Sequence, residues 1–195
     1  MNDGPRFEEA LRRFDDENSR DPHAVTVGGV SQPYELLYSK WVTEWVLRLC
    51  AQPSEALLLA ARCQHICRWM IPRNSQPMTR AGYLKWRADL KQFHAEKSAG
   101  ILRETGYAND VIARVQELNL KKNLAGDPEC QTLEDALCLV TLQHQLTDLS
   151  DKTEPDKMVS ILQKTWRKMS PAAREEALAL QFSERETALL QRALA

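Results

Sequence analysis

Between residues 34 and 169 the apolar side chains of this sequence recur three and four positions apart, with no useful length of two-residue alternation. That spacing lines one face of a helix, whereas a half-buried strand needs a period of two. The chain is thereby confined to an all-α architecture. Upstream, VTVGGV (residues 25–30) is the one strand-like run, and its glycine pair weakens it as a strand.

Proline, glycine and capping residues divide the pattern into helices. Phe7, Ala10, Leu11 and Phe14 share a face of the first. DPHAVTVGGVSQP (21–33) interrupts it, and a second helix covers about 34–50. Ser54 is the N-cap of a third, which carries residues 57–69. After the loop IPRNSQPM, a fourth runs from near Thr79 to a C-cap at Gly106. Asn109 opens the fifth, a sixth begins near Thr132, and a seventh covers 156–169. Ser170-Pro171 starts an eighth, and Ser183 with Glu186 forms the capping box of a ninth. With 195 residues, 43% of them hydrophobic, the expectation is one domain over 1–195. Its core lies at about 34–169, centred on the third to sixth helices, with a C-terminal helical hairpin at about 170–195.

A net charge of -1 argues against general coating of nucleic acid. The apolar run ALLLAA is too short to span a bilayer, and the start MNDGPRFEEA is polar, so no membrane association is expected. The five cysteines, an odd number, read as reduced thiols of a cytoplasmic protein. Cys63 and Cys67, four apart, are metal-ligand candidates or small apolar filler.

Charge is distributed unevenly. Residues 62–94 hold seven Arg or Lys and a single acid, Asp89, together with two of the four histidines and two of the five tryptophans. On a third helix Arg62, His65, Arg68 and Trp69 fall at offsets of three, three and one; on the fourth, Tyr83, Arg87, Lys91 and His94 do the same at four, four and three. If the two faces meet, they form a pocket of imidazoles, guanidiniums and aromatic walls. Arginine grips phosphate through a planar fork, and tryptophan can stack on a base or on arginine. Arg62, Arg68, Arg73, Arg87, Trp69, Tyr83 and Trp86 are the candidates to bind a small phosphate-bearing molecule or nucleotide. The competing reading makes the tryptophans core and pairs the arginines with acids of other helices.

Glu44, Glu134 and Asp135 sit in apolar surroundings, where an acid needs a metal or a cation. With two histidines they can make a mixed nitrogen and oxygen metal site; a salt-bridge network with the arginines is the alternative, and a helix-capping role is open to Asp135. Walker loop, GxGxxG, GxSxG, HExxH and CxxC signatures are all missing.

The strings RCQHICRWMIPR, AGYLKWRADLKQFHAE, LEDALCLV and ILQKTWRKMS resemble an uncharacterised family, a domain of unknown function sometimes labelled as related to glutamyl-tRNA synthetase. The resemblance covers nearly all of the chain beyond about the first twenty residues. A remoter similarity is to the HD superfamily of helical metal-dependent phosphohydrolases: LLLAARCQHI ends in His65, His94 opens HAEKSAGILRETG, and Asp135 precedes Ala136-Leu137. The sequence departs from that pattern at Ile66, which stands for the Asp of the His-Asp pair, at Tyr38, near the expected first His, and at Lys121 or Lys122. The resemblance implies a degenerate HD-like bundle in which His65, His94 and Asp135 hold a divalent metal. Glu134 or Glu44 would assist catalysis, and the arginines would neutralise phosphate. The expected activity is a metal-dependent hydrolase; the alternatives are a non-catalytic nucleotide or RNA-end binding module and a structural protein with a buried Arg-acid network.

Overall fold

A computed structural model describes residues 4–124 and 126–195. Its elements run α1 (Pro5–Asn18), β1 (Ala24–Val27), β2 (Val30–Pro33), α2 (Tyr34–Leu49), α3 (Glu55–Cys63), α4 (Arg80–Glu104), α5 (Asn109–Leu120), α6 (Pro128–Val140), α7 (Leu146–Asp151), α8 (Pro155–Lys168), α9 (Pro171–Leu178) and α10 (Glu184–Leu194). The protein is an all-α bundle with one small appendage. VTVGGV does form a hairpin: β1 and β2 pair antiparallel from Ala24↔Pro33 to Val27↔Val30. Gly28 and Gly29 take positive φ (58° and 81°) at the turn, where the glycine pair serves the connection between the strands.

α2 packs on α3 and α6, α5 on α3 and α4, and α1 on α3. α9 lies on α6 and α10 on α8. Core residues extend from Phe7 in α1 to Ala193 in α10, with Phe14, Leu57, Ile66, Leu102, Leu133 and Met158 among the most completely enclosed. The N-terminal half of α4 is the exception among the central helices, because Tyr83 and Leu84 face outward. No helix among the described residues is long and apolar enough to cross a membrane.

Most capping signals act as the sequence suggests. Ser54, Thr79, Ser170 and Ser183 accept from the first-turn amides of α3, α4, α9 and α10, and Ser183 with Glu186 completes a capping box. Gly106, φ 80°, follows α4. Two boundaries differ. α6 begins at Pro128 rather than near Thr132, because Asp127 accepts from the amides of Glu129 and Cys130. α3 stops at Cys63 instead of continuing to Trp69: the Ile66 amide bonds back to Cys63 O, and Cys67 enters the left-handed region at φ 53°. A short 3-10 turn, Arg68–Met70, follows.

The loop between that turn and α4 is folded tightly onto the start of α4. A Cβ added at Gly82 would lie 2.1 Å from Pro77 O, a backbone atom with little room to move. Gly82→Ala is expected to destabilise the protein by about 1–3 kcal/mol, the usual cost of overpacking, measured by urea denaturation.

Candidate functional site

A cavity of about 540 Å³ opens among α2, the turn after α3, α4, α6 and α8. That volume suits a small molecule. Its floor follows from the end of α3. Because the helix breaks there, His65 leaves the helical register, and its ring stacks on Tyr38 of α2 (centroids 4.4 Å apart, planes 9° apart). His94 of α4 approaches from the other side, with its ring centroid 5.7 Å from that of His65. His94 Nδ1 donates to Ile66 O at 2.8 Å, so its Nε2 is the acceptor nitrogen and has no partner. Burial lowers the His94 pKa to about 4, against the help of the Ile66 carbonyl, and the ring is neutral at pH 7. His65 is also pushed well below the usual histidine range, first by desolvation and then by the cations around it.

Behind His65 lies Glu35, in the first turn of α2. Its amide donates to Asp21 Oδ2 at 3.0 Å, so Asp21 serves as a distant cap for a helix whose own N-cap is Pro33. The Glu35 carboxyl is 3.8 Å from both His65 Nδ1 and Arg68 Nε, too far for a good hydrogen bond. Desolvation raises its pKa to about 8, with Arg68 opposing and Asp21 reinforcing the shift.

The walls are cationic. Arg68, Arg87, Lys91, Lys121, Lys164 and Lys168 line the cavity, against one lining carboxylate, Glu134. Lys121 donates to Glu134, and Lys168 Nζ lies 3.3 Å from its other oxygen. The paired cations hold the Glu134 pKa below the ordinary value although desolvation, the largest influence, raises it. Lys121 occupies the left-handed region (φ 55°) at the end of α5, a conformation unfavourable for a residue with a Cβ. None of the described carboxylates forms an ion pair with Arg87, Lys91 or Lys164. Burial, and then the like charges of Lys121 and Arg87, lower the Lys91 pKa.

Of the residues singled out in the sequence, His65, His94, Glu134, Arg68, Arg87, Lys91, Tyr83 and Trp86 all line this cavity. The others lie elsewhere. Arg62, the last full turn of α3, makes a two-pronged pair with Asp15 of α1 at 2.7 Å for each contact. Arg73 is engaged by the carbonyls of Gln76, Pro77 and Thr79 and pins the loop. Trp69 packs half-buried against the core. Glu44 faces solvent, because Val42, Trp45 and Val46 turn the opposite side of α2 inward. Asp135 is buried, but it accepts from Gln131 Nε2 and from the Ser170 amide, both at 2.9 Å, and joins α6 to the start of α9. The ligand set His65, His94 and Asp135 is therefore not gathered. Among the described residues no group of three or more His, Cys, Asp and Glu side chains is placed to hold a metal ion. Cys63 and Cys67 are free buried thiols, raised to about 11 and about 12, chiefly by burial.

The sequence reading missed Glu35, Lys164 and Lys168. The two lysines sit four apart on α8, a legible signal for one face. Glu35 sits where a first-turn acid normally reads as a dipole partner.

A family model described as a domain of unknown function, DUF4202, matches residues 8–190. No curated protein and no solved structure matches the chain.

Glu35 generates a pH dependence. Its folded pKa, about 8, stands above its value in the unfolded chain, so the stability it contributes is full below about pH 4.5 and is lost as pH rises through 8. Relative to wild type, Glu35→Gln should therefore gain stability as pH rises from 5 to 8, by up to about 1.4 kcal/mol per pH unit. Urea denaturation of both proteins at pH 5, 6.5 and 8 measures this.

Proposed function

Because the chain belongs to the DUF4202 family, a domain of unknown function, we propose its role from the cavity alone: it is a binding module for a small phosphate-bearing molecule. The observation that carries this reading is the row of Arg87, Lys91 and Lys164, cations facing one cavity without carboxylate partners among the described residues. Like charges held together in a partly desolvated cleft repel and reduce the stability of the empty protein. Scaffold roles place a cation beside an acid, as Arg62 sits beside Asp15 and Arg114 beside Asp127 and Glu129. Unpaired cations around a cavity are arranged for an anion that arrives from outside.

Binding accounts for this arrangement better than metal-dependent hydrolysis does. The HD-like reading needs Asp135 beside the two histidines, and Asp135 is committed to Gln131 and Ser170. Glu134 is neutralised by Lys121 and Lys168, which leaves it a poor base. Arg68 and Arg87 bring forked donors, and the lysines supply point charges.

Substitutions at two positions separate this role from a structural one. Lys91→Met removes a cation that its neighbours repel. It should raise the stability of the unliganded protein by about 0.5–1 kcal/mol, or ~1–4 °C in Tm, and weaken pyrophosphate binding in calorimetric titration. Arg87→Ala should leave stability within about 0.5 kcal/mol of wild type and weaken pyrophosphate binding by about 1.5–3 kcal/mol. Arg87→Lys should recover part of that loss, since the fork is gone but the charge remains. Loss of stability with unchanged affinity in Lys91→Met and Arg87→Ala would make the cluster scaffold and overturn the proposal.

A further inference from the structure

The cavity has two chemically different ends. The free cations of the wall, Arg87, Lys91 and Lys164, offer only donors, and the lining carboxylate Glu134 is already engaged by Lys121 and Lys168. The floor offers acceptors: His94 is 3% exposed and Gln64 5%, both line the cavity, and His94 Nε2 and Gln64 Oε1 are buried without a hydrogen-bond partner. The His94 tautomer is fixed by the Ile66 carbonyl, which can only accept, so the lone pair of Nε2 cannot be relieved by turning the proton round. A buried acceptor left bare costs free energy, and such groups normally find a donor. A phosphate ester at neutral pH is mainly a dianion with acceptor oxygens alone, so it does not serve these two atoms.

The aromatic side chains narrow the choice. Tyr38 is already stacked on His65. Trp86 gives its Nε1 hydrogen to Ile71 O at 2.9 Å, and its ring lies against the Arg68 and Arg73 guanidiniums at 5.0 and 5.8 Å. Tyr83 is covered by Arg73 and Arg87. Tyr38, Trp86 and Tyr83 each lie against a histidine or an arginine, Tyr34 lies against Tyr38 and Trp41, and among the described residues no parallel pair of lining rings is held open for a base.

Resting on the anion-pocket reading, we infer that the ligand is a phosphorylated sugar or polyol: its phosphate meets the lysine and arginine wall, and its hydroxyl hydrogens are accepted by His94 Nε2 and Gln64 Oε1. A site built to bond hydroxyl groups discriminates strongly against an analogue that lacks them, because its own buried polar atoms are then stranded.

Calorimetric titration of the full chain tests this with pyrophosphate, with ribose 5-phosphate, glucose 6-phosphate and glycerol 3-phosphate, with alkyl phosphates of matched chain length, and with adenosine monophosphate. At least one hydroxylated phosphate should bind ten times or more tighter than its alkyl counterpart, and tighter than the nucleotide. His94→Asn keeps a side-chain N–H for Ile66 O and removes the Nε2 acceptor; Gln64→Leu removes the other acceptor at similar volume. Each should reduce the preference for the hydroxylated ligand at least fivefold and leave pyrophosphate affinity within about twofold. No preference over alkyl phosphates in the wild type, tighter binding of the nucleotide, or a preference that survives both substitutions would each overturn the inference while pyrophosphate still binds. Failure of pyrophosphate and every phosphate ester to bind would instead overturn the anion-pocket reading beneath it.

Discussion

The turn at residues 64–67 holds the cavity together. Cys67 stands in the left-handed region there, at a cost of about 1–2 kcal/mol for a residue with a Cβ. Three contacts offset that cost. The Cys67 amide donates to Asn18 Oδ1 at 3.0 Å and ties the turn to the end of α1. The Ile66 side chain is fully enclosed in the core. The Ile66 carbonyl accepts from His94 and ties the turn to the middle of α4. One short segment thereby fixes two helices and leaves His65 between them, against Tyr38 of a further helix, α2. A continuous α3 would have carried residues 62, 65 and 68 along one face. The break divides them, sending Arg62 to α1 and Arg68 to the cavity.

Charge is organised around a single lining acid. Glu134 draws in Lys121 on one carboxylate oxygen and Lys168 on the other, and with them the ends of α5 and α8. A second carboxylate stands near, but Glu35, raised to about 8, is largely neutral at pH 7 and does not cancel Arg68. The field in the cavity is therefore stronger than a count of nearby acids suggests. It is also local: the whole chain carries a net -1, and numerous other cations are paired on the surface. A net charge says little about a concave, low-dielectric region where field lines converge.

Much of this fold was legible because helix periodicity and capping are local properties. Ser54, Thr79, Ser170, Ser183 and Gly106 mark their boundaries through groups within a few residues. The basic segment likewise contains a large part of the cavity wall, since Arg68, Trp86, Arg87 and Lys91 come from it. What could not be read were the decisions made by distant partners. Asn18 and His94 end α3, and neither is near it in sequence. Glu44 was misleading because its apolar neighbours belong to the opposite face of α2, a question of phase that four residues leave open. Asp135 was misleading because a buried acid has many ways to be satisfied. Here an amide of a later helix and a glutamine of its own suffice.

The segment after α6 illustrates how backbone irregularity serves the same cavity. Residues Thr141–Gln145 form a π-helical turn, a wider winding that recurs at functional sites. Its side chains depart in two directions. Thr141 and Gln145 line the cavity, hydrogen-bonded to each other, and Gln145 continues to the Tyr34 hydroxyl at the start of α2. Gln143 accepts from Trp45 Nε1 at 2.9 Å, and His144 stacks on Trp41 with ring centroids 3.8 Å apart. Both of those contacts clamp the turn to the outer length of α2. The turn is thus held from α2 at several points, one of them at the cavity itself. Anchoring of this kind matters most beside a cluster of like charges, because repulsion would otherwise push the walls apart. The polar bonds between α2 and the turn oppose that opening, and so do the contacts of Lys121 and Lys168 with Glu134.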